Sequence, residues 1–120
     1  MKGRPFHERL RFAWRGLLLA FRHERSFRIH LIAAALVLIT LSIVQPAVIW
    51  WGLLGLAVGL VMVAELLNSA LEALADHLHP DQHPQIGVAK DLAAAAVLIA
   101  SMVAVAVGIA FLFSLVRGVA

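Results

Sequence analysis

Residues 47–64, AVIWWGLLGLAVGLVMVA, contain no charged side chain, and residues 65–76, ELLNSALEALAD, follow without a break. At ~1.5 Å per residue, a helix over the first stretch is about 27 Å long and nearly crosses a hydrocarbon core of ~30 Å. Glu65 then falls at the membrane boundary. Glu65, Asn68, Ser69, Glu72 and Asp76 are spaced i, i+3, i+4, i+7 and i+11, so in a helix they share one face. Carboxylates at the edge of a bilayer are costly and ordinarily face protein, a water-filled cavity or a cation. That face is the candidate site.

Composition points the same way. With 62% hydrophobic residues, 14% charged residues and a mean hydropathy of +0.94, the 120-residue chain lacks the polar groups to cover its apolar surface in water. Two further apolar stretches, Ile29 to Val48 and Leu92 to Val116, complete a set of three spans. The expected fold is an all-α integral membrane protein with three transmembrane helices and an amphipathic surface helix. It forms one domain over 1–120, with the surface helix at about 5–26 and spans at about 29–48, 47–75 and 90–116. Residues 1–28 are too rich in arginine and too poor in apolar length to read as a cleavable signal peptide. Cysteine is absent, which excludes disulfides and thiolate chemistry.

Eight of the ten basic residues (Lys2, Arg4, Arg9, Arg11, Arg15, Arg22, Arg25, Arg28) precede the first span, and the connection after it carries no charge. The bias of Lys and Arg toward the cytoplasm predicts a cytoplasmic N-terminus and a cytoplasmic 77–91 connection, with Arg117 outside. The net charge of +3 follows from this topology and from attraction to anionic lipid, and no nucleic-acid partner is expected. Leu10, Trp14, Leu17, Leu18 and Phe21 recur at helical spacing, which predicts a surface helix whose arginines reach headgroups. Glu24, among Arg22, Arg25 and Arg28, either pairs with Arg28 at i+4 or faces the acidic end of the second span.

The stretch Asp76 to Gly87 holds two prolines, which argue against continuous helix there, and three histidines, His77, His79 and His83. With two aspartates these invite a transition-metal reading, but their spacing matches no compact helical ligand pair, and a nucleotide contact is preferred. Lys90 and Asp91 diverge by ~100° on a helix and serve different partners. Lys90 either meets a phosphate or reaches back to the interface. Ala93 to Ala96 form a small-residue surface that lets another helix approach closely. No Gly-rich phosphate loop occurs, so nucleotide chemistry would need a different architecture. A carboxylate pair such as Glu24 and Glu72 suits Mg²⁺, which takes oxygen ligands and shares them with substrate phosphates.

Residues 65–72 (ELLNSALE), with Asp76, His83 and Ala89-Lys90-Asp91 downstream and Trp14-Arg15-Gly16 and residues 24–28 (ERSFR) upstream, resemble the prokaryotic diacylglycerol kinase family. The resemblance covers nearly the whole chain. It implies a small membrane-embedded homotrimeric lipid kinase of the bacterial cytoplasmic (inner) membrane, using ATP and Mg²⁺, with sites shared between subunits. The expected reaction moves the γ-phosphoryl group to a lipid hydroxyl, with diacylglycerol giving phosphatidic acid and undecaprenol as the alternative acceptor.

Carried across by position, Glu65 matches the family's general base and Asn68 the polar residue beside it, while Glu24 and Glu72 match the metal-binding carboxylates. Lys90, Asp91, Asp81, Gln82 and His83 match nucleotide contacts, and Arg28 and Trp14 are the candidate substrate contacts. Leu92-Ala93-Ala94-Ala95 departs from the diacylglycerol kinase pattern after the Lys-Asp pair, and Phe27-Arg28-Ile29-His30 resembles the undecaprenol kinase branch. A reading of another class, a non-enzymatic cation carrier or assembly subunit using Glu65 and Glu72 as ion ligands, requires carboxylates along a path across the bilayer. The outer half of every span is uncharged.

Overall fold

Four helices make up the computed structural model, which describes residues 2–81 and 83–120: α1 (Phe6–His23), α2 (Arg25–Val44), α3 (Val48–Leu78) and α4 (Pro84–Val116). The last three are long and apolar enough to cross a membrane, as expected. The protein is a multi-pass membrane protein. At 31 and 33 residues, α3 and α4 reach about 46 and 50 Å, which exceeds the hydrocarbon core and carries one end of each into water. α3 packs most extensively on α4, less on α2, and α1 rests on α2.

The breaks between helices have local causes. α2 stops at Val44 because Gln45 takes a left-handed backbone (φ 52°, ψ 56°), its N–H returning to the Leu41 carbonyl and its side-chain amide to the Ser42 carbonyl. Pro46 cannot continue the helix. The first span therefore ends four residues short of the expected Val48, and the next begins at Val48 rather than 47. Thr40 and Ser42 return their hydroxyls to the carbonyls of Leu36 and Leu38, each at 2.8 Å, so neither leaves an unpaired donor in lipid.

The helix is interrupted within the 76–87 stretch, as its prolines predict, but the interruption is short. α3 continues to Leu78 and α4 starts at Pro84, because proline is tolerated at a helix N1 position where its missing N–H costs nothing. His83 caps that start, its Nδ1 accepting from the Gln85 N–H at 3.1 Å. The connection is thus 79–83, and the last span starts six residues earlier than 90.

Little of the chain is buried in itself. A small core joins Leu41, Leu54 and Phe111 with Val37, Trp50 and Val107 around it, and the Trp50 and Phe111 rings lie 5.4 Å apart at 57°. Most large apolar residues, such as Leu56 on α3 at 73% exposure, face outward. The radius of gyration of 17.5 Å exceeds the about 14 Å of a compact globule this size. Outward-facing apolar residues of this kind suit helices that cross lipid. Trp14, 63% exposed, and Leu10 and Phe21 are likewise uncovered on α1, as an interfacial helix requires.

Candidate functional site

α3 presents its polar face as a gradient of burial. Glu65, the buried charged residue, is 9% exposed; Asn68 and Ser69 are half-buried; Glu72 and Asp76 are exposed. The one helix thus carries acids from the apolar interior to the water beyond it, as their spacing predicts. Glu65 is not alone there. His30 of α2 lies with Nε2 3.1 Å from Glu65 Oε1, in a part-buried contact that ties α2 to α3.

Asn68, one turn from both Glu65 and Glu72, has a buried Oδ1 with no hydrogen-bond partner. A buried carbonyl oxygen without a donor costs free energy, on the order of 1–3 kcal/mol. Asn68 lines an apolar groove of about 510 Å³ between α3 and α4, together with Ala93, Ala96 and Ala100. The small side chains of α4 open that groove.

Further out, a cavity of about 480 Å³ forms where α3 ends and α4 begins. Asp81, His83 and Lys90 line it with Asp76 and His79. Lys90 Nζ donates to Asp76 Oδ1 at 2.5 Å, bridging the two helices. Asp91 is exposed and not part of that lining, as the ~100° between successive residues requires. Gln82 lies outside the described residues. The structure therefore brings Asp81, His83 and Lys90 together and leaves Asp91 apart.

The elbow between α1 and α2 differs from the simpler expectation for Glu24. Arg28 donates from Nη1 to the carbonyls of Phe21 at 2.9 Å and Arg22 at 3.1 Å, and so closes the C-terminal end of α1. A guanidinium is suited to those orphan carbonyls by charge and by its several donors. No ion pair joins it to Glu24 among the described residues. Glu24 is half-buried at the joint, its N–H bonded to the Ala20 carbonyl. Trp14 stands exposed on α1.

Among the described residues, no group of three or more His, Asp or Glu is arranged to hold a metal ion. The His79 and His83 rings lie 6.3 Å apart, and His83 uses Nδ1 as a helix cap. Sequence reasoning misses one partner: His30 is an ionisable ring inside an apolar span, which is itself a signal that a partner exists.

The chain thus sets a buried carboxylate, an amide oxygen without a partner and a cavity lined by Lys90 along the same end of its long apolar helices. The family model for prokaryotic diacylglycerol kinase matches residues 11–112, and the chain belongs to that family. It is 41% identical over 99 residues to a diacylglycerol kinase of Synechocystis, covering 82% of this chain and 57% of that relative. It is 40% identical over 94 residues to the diacylglycerol kinase of Escherichia coli (78% and 77%), and 36% identical over 97 residues to the undecaprenol kinase of Bacillus subtilis (81% and 79%). The family is one of lipid kinases, which transfer phosphate to an alcohol, and a kinase family implies the use of ATP. The non-enzymatic carrier reading is set aside.

Proposed function

We propose that the chain transfers the γ-phosphoryl group of MgATP to the hydroxyl of diacylglycerol at the cytoplasmic membrane surface, giving phosphatidic acid. The observation that carries this reading is Glu65, a carboxylate buried where α3 passes from apolar to polar surroundings. A base there meets a hydroxyl whose chains stay in lipid. Undecaprenol is the second acceptor reading, favoured by the Phe27 to His30 stretch and by the undecaprenol kinase among the relatives.

Glu65 accepts the hydroxyl proton as the acceptor oxygen bonds to the γ-phosphorus and the bond to the β,γ-bridging oxygen breaks, leaving ADP. Such transition states are loose, so positioning and charge neutralisation contribute more than covalent chemistry. Asn68 offers its unpaired Oδ1 beside the base. Lys90 exchanges Asp76 for phosphate oxygens, with Asp81, Gln82 and His83 around the nucleotide and Asp91 making a separate contact. Arg28 and Trp14 face the acceptor headgroup from the elbow and surface helix.

The donor set fits a hard cation. Glu72 is exposed one turn from the unpartnered Asn68 oxygen, and oxygen ligands shared with phosphates are what Mg²⁺ takes. Glu24 and Glu72 would hold the ion, which when bound neutralises phosphate charge. Two carboxylates and the substrate phosphates suffice for Mg²⁺, and in this reading Glu24 and Glu72 come from different copies of the chain. A homotrimer with the N-terminus cytoplasmic, joined through the alanine-rich face of α4, supplies those copies. Purified protein given radiolabelled ATP with diacylglycerol or undecaprenol separately tests the reading. Labelled phosphatidic acid is expected, and failure to phosphorylate either lipid contradicts it.

A further inference from the structure

The contact between His30 and Glu65 does more than join two helices. His30 is the sixth residue of α2, inside an apolar span, where an imidazole without a partner is costly. Its partner is 35 residues away, at 3.1 Å, and this is the one side-chain hydrogen bond of Glu65 among the described residues. A carboxylate acting as base is ionised and can only accept, so Nε2 must be the donor. One oxygen of Glu65 is thereby held. The other remains free for the reacting hydroxyl.

We propose that His30 is a positioning residue for Glu65, donating from Nε2 to Oε1 so that the carboxylate is fixed in plane with Oε2 presented to the lipid hydroxyl. The inference rests on Glu65 being the base. A carboxylate on two rotatable carbons would otherwise sample several orientations, and a second group that locks the first is what a precise base requires. The two residues come from different helices, so the lock also sets how α2 stands against α3 at the level of the chemistry. His30 itself need not touch lipid or nucleotide. Its role predicts a loss in turnover without a loss in nucleotide binding.

The test compares His30→Phe, which keeps bulk without a donor, with His30→Gln, which keeps an amide N–H at similar reach. Each full-length oligomeric protein is assayed in mixed micelles with diacylglycerol and MgATP, beside Glu65→Gln. His30→Phe should lose roughly 10- to 100-fold in kcat, the worth of one charge-assisted hydrogen bond, with KM for MgATP unchanged. His30→Gln should stay within about threefold of the parent, because the donor rather than the ring is what matters. Wild-type turnover in His30→Phe overturns the proposal, as does a His30→Gln protein no better than His30→Phe, or a defect confined to KM. If His30→Phe fails to assemble, His30→Asn replaces it: too short to reach Glu65, it should be impaired where His30→Gln is active, and equal activity in the two overturns the proposal. Normal turnover in Glu65→Gln would instead defeat the base assignment itself, a result distinct from an inactive Glu65→Gln beside an active His30→Phe.

Discussion

Lys90 Nζ and Asp76 Oδ1 meet at 2.5 Å, so the first turns of α4 and the last turns of α3 are bridged by an ion pair in water. Asp76 itself ends the row of acids that begins at Glu65. Both residues of the pair line the cavity between the two helix ends. An exposed pair contributes little to stability because water and salt screen it. In the proposed reading it holds Lys90 over the cavity until a phosphate replaces the carboxylate.

Lys90→Ala should therefore leave the unfolding midpoint nearly unmoved while raising KM for MgATP roughly 10- to 100-fold, the cost of one charge-assisted contact to phosphate. Steady-state kinetics at saturating lipid, beside thermal unfolding in the same detergent, checks both. A large drop in the midpoint with KM unchanged would make the lysine a structural clamp only.

The proposed role of Asn68 predicts that its substitution separates stability from function. Its Oδ1 is buried without a partner, so Asn68→Leu should hold or raise stability, by on the order of 1 kcal/mol, while turnover falls by at least about tenfold. Unfolding and turnover measured on the same preparation decide it. Loss of both together would mean that the amide is satisfied in the assembled protein and holds the fold.

Glu24→Ala and Glu72→Ala should each raise the Mg²⁺ concentration needed for half-maximal activity. Because both would serve one ion, the double variant should lose less than the sum of the single losses. A Mg²⁺ titration of the three proteins gives the coupling. Strict additivity places the two carboxylates in separate sites.

The spans were legible because an uncharged run of membrane length, in a chain this apolar, has no stable home in water. The polar face of α3 was legible because helical spacing puts Glu65, Asn68, Glu72 and Asp76 in one row. The ends were less so. Hydropathy does not register a left-handed Gln45, and a proline reads as a breaker although Pro84 opens a helix. Local spacing sets Arg28 near Glu24, yet carbonyls at the end of the preceding helix hold it. His30 stands out as an ionisable ring in an apolar span, but its partner lies 35 residues away, and no local pattern encodes such a contact.

Shared sites predict complementation. At Mg²⁺ concentrations too low to support Glu24→Ala, mixing it with Glu65→Gln should restore part of the activity after subunit exchange, since some sites would draw both intact residues from different chains. Exchange is followed by fluorescence transfer between labelled copies. Exchange without recovery would place both residues in one chain's site.

Turnover of Glu65→Gln measures the central claim most directly. Glutamine keeps the shape of the side chain and its hydrogen-bonding reach to His30 but cannot take the hydroxyl proton. Transfer of radiolabelled phosphate from ATP to diacylglycerol should fall by roughly 10² or more, with helical content and oligomer size unchanged. Near-normal turnover in a well-folded Glu65→Gln protein would contradict the assignment of Glu65 as the base.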